Sequence, residues 1–368
     1  MKTRNPNVQS PMSNNQCPNW IRIGWIFVLP CVFATSVRAA ETVTYSYDDA
    51  GRLTNAAYGG GANVAYAYDA NGNLLLRTVS AAEPAIRYVR PESPSPAAPY
   101  LTPETAGHDV QTVVDVCAAG DVVRVYPGIY DAGGKAAPGC LTTNRVYAGV
   151  AIRLESVDGP AHTTIVGRSD AGEAGSNAVR CVYLTSGSTL AGFTLTNGAT
   201  QAVGGDDGSG GGVVATGSVV SNCVIDDCIA QMVGGGVQGG TIHNSMIRRN
   251  YALFGGGAVD ADLRACILHA NGAQGGAAAN NCDLVNCLLH HNGSTMSAGG
   301  AQGGTLVNCT VVANQTGGGG GGGANMSTLL NCIVVDNVPD NLFDVSNVNY
   351  TCTAPLPGSG AGNLEADP

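Results

Sequence analysis

The sequence is short of charge and of aromatic rings: of 368 residues, 12% are charged and 5% aromatic, and both tryptophans precede residue 40. Without tryptophan, the rest of the chain lacks the broad stacking platform that grips sugar rings. Cations are scarcer still. Lys and Arg number 17 against 27 Asp and Glu, and neither cation occurs from Ala265 onward. Nucleic acid and anionic lipid both need clustered cations, so this balance argues against either as a partner. Acidic residues are missing from the first 40 positions, which carry Lys2, Arg4, Arg22 and Arg38 around an apolar run at 23–37 that Pro30 interrupts. A basic start, a short apolar run and the end Val37-Arg38-Ala39 describe a secretory signal peptide over 1–39. No later apolar segment reaches spanning length. The mature chain is therefore expected to be exported, extracellular or on the outer surface, without a transmembrane span. Removing the leader leaves 13 − 27, a net charge of −14. A Gly-x-Ser-x-Gly elbow, a Ser, His and Asp order and a phosphate-binding glycine loop are also missing.

What is abundant is glycine, 53 residues, much of it inside a pattern that recurs six times between about Val220 and Asn337. A reference column reads Asn250, Asn271, Asn292, Asn314 and Asn337, with Cys228 in the first copy, at steps of 22, 21, 21, 22 and 23 residues. Five positions earlier stand Cys223, Ser245, Cys266, Cys287, Cys309 and Cys332, and eight positions earlier Val220, Ile242, Leu263, Leu284, Leu306 and Leu329. A second aliphatic column, Ile247, Leu268, Leu289, Val311 and Val334, lies three before the Asn. Such a period means a solenoid, whose units bury their apolar side only against neighbours.

Two solenoids fit the first half of the repeat, because Leu306, Cys309, Val311 and Asn314 also satisfy a leucine-rich-repeat strand. The second half decides. It runs through Gly234–Gly236, Gly255–Gly257, Gly275 with Gly276, Gly299 with Gly300, and seven glycines from Gly317 to Gly323. Each Gly costs a helix interior about 0.8–1.0 kcal/mol relative to Ala, which opposes a helical return. The expected fold is all-β, a right-handed parallel β-helix. Successive coils would lie about 4.8 Å apart, stacking the reference asparagines into a structural amide ladder. A second, incomplete ladder is expected at Asn222, Asn244, Asn286, Asn308 and Asn331, broken by Ala265.

Residues 41–80 hold Tyr45-Ser46-Tyr47-Asp48-Asp49-Ala50-Gly51-Arg52-Leu53 and Tyr66-Ala67-Tyr68-Asp69-Ala70-Asn71-Gly72-Asn73-Leu74. Alternating Tyr before an Asp-x-x-Gly turn predicts paired β-hairpins. These lines resemble the YD repeats of bacterial Rhs-type surface proteins, with Asn73 where that family uses Arg. A Pro-rich stretch, Pro91 to Pro99, predicts an extended linker over 81–99. The solenoid is then expected over 100–368, opening with a short amphipathic helix near 109–116 and a strand at Val122–Tyr126.

The order of that helical cap, Pro127-Gly128-Ile129-Tyr130, the bend from Ser156 to Gly159-Pro160, Gly192-Phe193-Thr194 and the Asn-Cys repeats resembles secreted bacterial proteins of the pectin-lyase-like fold. The Gly-Gly-Ala alternation is similar to the repeats of chlamydial polymorphic outer membrane proteins, with Ile, Leu or Val in place of their Phe. The tail from Thr353 to Pro368 looks like a last coil. These resemblances imply fold and surface location; the fold hosts lyases, hydrolases and adhesins alike.

Enzymes of that fold carry carboxylates, Arg or Lys on an outward column, with Ca²⁺ or paired acids neutralising a uronate. Here the column two before the Asn reads Asp226, Arg248, His269 and His290, then Val312 and Val335. Alternation turns it to solvent as a line about 15 Å long, the length of a few sugar units. It is the candidate ligand column, although an outward column is polar in any solenoid. Two imidazoles make no metal site without a third ligand, and alternation sends His291 to another face. No metal or cofactor is therefore expected, Ca²⁺ in the acidic loop Gly205–Gly210 being the one option weighed. Eleven cysteines follow the leader. Stacked side chains point the same way, so they are read as buried thiols, with Cys117–Cys140 or a Cys228 pairing as the disulfide alternatives. The functional reading is an exported binding or adhesion scaffold for a surface glycan or protein. The alternative is a polysaccharide lyase or glycoside hydrolase working through the polar column.

Overall fold

The structure, a computed structural model, describes residues 43–58, 63–80, 83–170, 172–201, 204–345 and 347–365. The expected signal peptide lies outside the described residues, as do the last three residues of the tail. Two compact units divide the chain after Ser80. Among the described residues no helix is long and apolar enough to cross a membrane.

The first unit is one antiparallel meander of four strands, β1 (Val43–Tyr47), β2 (Leu53–Tyr58), β3 (Asn63–Tyr68) and β4 (Leu74–Ser80). The β1–β2 and β3–β4 turns are built alike. Asp48 Oδ1 accepts from the amides of Ala50 and Arg52 at 3.1 and 2.8 Å, and Asp69 Oδ1 accepts from Asn71 and Asn73 at 2.9 and 2.8 Å. Gly51 and Gly72 supply the positive φ that each turn needs. Arg52 Nε binds Asp48 Oδ2 at 2.8 Å, and Asn73 Nδ2 makes the corresponding bond to Asp69 at 2.9 Å. The shorter amide thus does the work of the arginine.

The second unit is a right-handed parallel β-helix. The coil that starts at Gly255 illustrates it. From a left-handed corner at Gly255 the chain runs through Ala258–Val259, turns at Asp260, continues through Asp262–Arg264, turns at Ala265, forms Ile267–His269, turns at Ala270 and returns through Gly272–Gly275. These strands stack into a long mixed-length sheet, a ten-stranded parallel sheet and a short four-stranded one. One core column runs Val123, Leu154, Leu190, Val220, Ile242, Leu263, Leu284, Leu306, Leu329 and Val348, in register and fully buried. The ten-stranded sheet supplies the opposing column from Ile165 through Leu195, Ile225, Ile247, Leu268, Leu289 and Val311 to Val334. Burying such side chains contributes about 1.5–3 kcal/mol each, and no single coil can do it alone.

The glycine runs lie where successive backbones nearly touch. A Cβ on Gly256 would sit 2.1 Å from the carbonyl oxygen of Gly272, and one on Gly257 2.4 Å from that of Ala278. Only glycine fits there. The reference asparagines form the ladder's rungs inside the coil. Asn271 Nδ2 donates to Asn292 Oδ1 at 3.0 Å and to the carbonyl of Ile247 at 2.9 Å, while its backbone N–H reaches the same Oδ1 at 2.9 Å. Asn250, Asn292, Asn314 and Asn337 repeat the scheme.

The expected second ladder is different in kind. Asn222, Asn244, Asn286, Asn308 and Asn331 all hold positive φ near 50°, as Ala265 does, and only Asn331 bonds to Asn308 side chain to side chain. Asparagine recurs there because it tolerates the left-handed corner. A linker over 81–99 also needs correction. Strand β5 (Ile86–Val89) pairs in parallel with β6 (Val122–Val125), so the solenoid begins before residue 100. Arg87 is buried against Asp121 at 2.8 Å, and Ser93 Oγ binds the carbonyl of Ala106 at 2.5 Å. The prolines turn the chain back over the first coil. Helix α1 (Val110–Val114), capped by Asp109, lays Val110, Val113 and Val114 over the open end of the core.

Candidate functional site

The candidate column stands on the ten-stranded sheet, where Asp226, Arg248, His269 and His290 are paired in register on successive strands. Thr196 precedes them, and Val312 and Val335 continue the line. All four polar members are brought together, but they face solvent only partly. Asp226 is 6% exposed, and Arg248, His269 and His290 are half-buried.

One residue further along, each coil passes through a left-handed corner: Asp227, Arg249, Ala270, His291, Ala313 and Asp336 have φ between 53° and 57°. Strand alternation would send these side chains away from the column. The corner turns two of them back. Arg249 Nη2 reaches Asp226 Oδ2 at 2.6 Å, beside Arg248 Nη2 at 3.0 Å. His291 closes on the stacked pair His269 and His290, whose ring centroids are 4.3 Å apart, and its Nδ1 lies 3.0 Å from His290 Nδ1. The placement of His291 on another face is therefore overturned, and with it the reason for expecting no metal site. Ring nitrogens of His269, His290 and His291 all lie within 4.8 Å of one another. For His291 the signal was the corner position itself, filled by alanine in the coils on either side, Ala270 and Ala313; Arg249, between Asp227 and Ala270, had no such contrast.

Electrostatically the strip sets two guanidiniums, Arg248 and Arg249, against the carboxylate of Asp226 and that of the corner residue Asp227. Asp226 is shared by two guanidiniums. Burial, then the neighbouring imidazoles of His269 and His291, holds His290 below the ordinary histidine range, so the ring favours its neutral form. Three members of the line carry buried polar atoms without a protein partner: Asp226 Oδ1, Arg248 Nε and His269 Nδ1. Buried polar atoms usually have a partner, and these three have none within the protein.

The acidic loop is built for another purpose. Arg180, fully buried, sends Nε to the carbonyl of Gly210 at 2.9 Å and Nη2 to that of Ser209 at 2.8 Å, with the Asp206 carbonyl also bound to Nη2. Asp207 Oδ1 accepts from the amides of Leu141 and Thr142 at 2.8 and 2.7 Å. These loop carbonyls thus lie against the chain's own cation, Arg180. Among the described residues no disulfide joins the eleven cysteines. Cys117 and Cys140 are not joined, and Cys266, Cys287, Cys309 and Cys332 form a buried stack in which each thiol donates to backbone carbonyls, Cys287 to those of Leu263 and Val285 at 3.5 and 3.4 Å and Cys309 to those of Leu284 and Val307 at 3.5 and 3.3 Å.

Residues 47–83 match the family model described as RHS Repeat. No curated protein sequence matches the chain. Among solved structures it is similar to pectate lyase Pel9A, at 14% identity and a TM-score of 0.43 over 73% of this chain and 68% of that one. It is also similar to the A-module of the Azotobacter vinelandii mannuronan C-5 epimerase AlgE4, at 15% identity and a TM-score of 0.38 over 66% of this chain and 82% of that one. A family 28 exopolygalacturonase of Yersinia enterocolitica matches at 13% identity and a TM-score of 0.35 over 83% of this chain and 81% of that one. The resemblances expected from the sequence, to Rhs-type repeats and to β-helix proteins of the pectin-lyase-like fold, are both found. At these levels no activity passes from those proteins to this chain.

Proposed function

We propose that this is an exported, surface-associated β-helix scaffold that binds an anionic glycan along the column from Asp226 to His290 and does not turn it over. The observation that carries the reading is the run of three partnerless buried polar atoms on one line, Asp226 Oδ1, Arg248 Nε and His269 Nδ1. Beside them Arg248 and Arg249 concentrate positive charge in a chain that is otherwise acidic, with side chains 35% and 55% exposed. Guanidinium forks suit the carboxylates of uronic acids. Catalysis by two carboxylates is disfavoured because the column has only Asp226, already neutralised by both arginines.

The test is a polyuronate panel on the full chain, with binding followed by calorimetry and turnover by absorbance of unsaturated products, in Ca²⁺ and in chelator. Saturable binding without product is expected. Replacing both Arg248 and Arg249 by Ala should weaken it at least about tenfold, since a charged hydrogen bond is worth about 1.5–3 kcal/mol, whereas Arg264→Ala should not. Product that disappears in His269→Ala would establish the enzymatic alternative instead, and the absence of binding to any polyuronate would end the glycan reading.

A further inference from the structure

We infer that His269, His290 and His291 form a binding site for one divalent transition-metal ion of the zinc, nickel or copper type. The inference goes beyond the glycan reading and does not depend on it.

Three features converge. His269 and His290 stand one coil apart, paired in register, with rings stacked at 4.3 Å and only 23° between their planes. His291 then meets both rings edge-on, with centroids 5.8 Å from His269 and 5.2 Å from His290. This requires a backbone at φ 56°, a conformation that L-residues adopt reluctantly. The flanking coils put alanine at that corner, at Ala270 and Ala313; only this coil spends the position on a ligand.

Donor geometry fits as well. One nitrogen from each ring lies within 4.8 Å of the others, and His290 Nδ1 and His291 Nδ1 are 3.0 Å apart. A tetrahedral ion with metal–nitrogen bonds of about 2.0–2.1 Å places its donors about 3.3–3.4 Å apart. Binding breaks the His290–His291 hydrogen bond and turns the stacked rings until their in-plane lone pairs converge on the ion. His269 Nδ1 is buried with no partner in the protein, so a metal bond there displaces nothing. Arg248, the cation in register with His269, is held by Asp226.

Imidazole donors select zinc, copper and nickel, whereas Ca²⁺ and Mg²⁺ take oxygen ligands. Three protein ligands leave a coordination position open. Because His291 is exposed, that position borders solvent and can take water or an anionic ligand atom.

The full chain, stripped with chelator, is titrated with Zn²⁺ by calorimetry and with Co²⁺ by visible absorption, without any glycan. One equivalent is expected, with the d–d bands of a tetrahedral nitrogen and oxygen site. His291→Ala should lower affinity at least about tenfold while leaving the metal-free circular dichroism and thermal midpoint unchanged, since alanine already occupies that corner in the coils on either side. His269→Gln, chosen to keep a polar side chain in the column, should weaken binding similarly. Unchanged affinity in both variants, a cobalt–thiolate charge-transfer band, or no Zn²⁺ uptake at millimolar metal would each overturn the assignment. Both readings use His269, but the titration contains no glycan and the glycan test turns on Arg248 and Arg249, so the failure of one is distinguishable from the failure of the other.

Discussion

Asn292 has no exposed surface, and its amide joins three coils: it donates to the carbonyl of Leu268 at 2.9 Å and to Asn314 Oδ1 at 2.8 Å, while its oxygen accepts from Asn271 at 2.9 and 3.0 Å. Replacing it by alanine strands several buried groups at once. Each unsatisfied group costs about 1–3 kcal/mol, so Asn292→Ala should destabilise by about 2–4 kcal/mol, read as a lower guanidinium midpoint. The same substitution at the exposed corner residue Asn286 should cost well under that, because what it holds is a backbone conformation that Ala265 adopts one coil away. Both columns were legible in the sequence as asparagine at a fixed period. Their different roles were not, because period reports stacking and is silent about whether a side chain points into the coil or sits on a left-handed corner. The same blindness hid Arg249 and His291, where one positive φ defeats the alternation used to assign faces.

At the scale of elements, strand β5 and the acidic loop depended on partners distant in sequence. Arg87 pairs with Asp121, 34 residues on, and Arg180 with carbonyls about 30 residues on; no local pattern announces such pairings, whereas the in-register coils announce themselves. The loop offers a pH test. Burial raises the Asp207 carboxyl, but the amides of Thr142 and Leu141 outweigh it and set it below the ordinary 3.8. Its contribution is therefore present above that ordinary value and is lost as pH falls through the lower folded value. Hydrogen exchange at Leu141 and Thr142 should accelerate in that acid window, and Asp207→Asn should remove most of the change.

For the molecule as a whole, each coil rests only on its neighbours, so stability accumulates as a sum of interfaces. The thiol stack crosses four of these coils. Burial raises Cys282, outside the stack, to about 12, and the neighbouring Cys266 thiol raises Cys287 to about 12, so neither supplies thiolate at neutral pH. Of the eleven cysteines in the described residues, a soluble alkylating reagent should label no more than the partly exposed Cys117, Cys140 and Cys352 in the native chain, with the other eight reacting only on unfolding; mass spectrometry counts them. Rapid labelling of Cys287 or Cys309 in the native chain would contradict the packing.

Two rungs of the amide ladder, Asn271 and Asn292, are each followed by glycine, the pairing that most favours spontaneous loss of the amide nitrogen in a free chain. Held rigid inside the coil they are shielded from that reaction, while Asn71, before Gly72 on an exposed turn, is not. Chemical ageing should thus begin at exposed pairs such as that in the N-terminal meander and reach the ladder only after its coils open. The damage there would be irreversible, because an aspartate at either rung has no hydrogens to give.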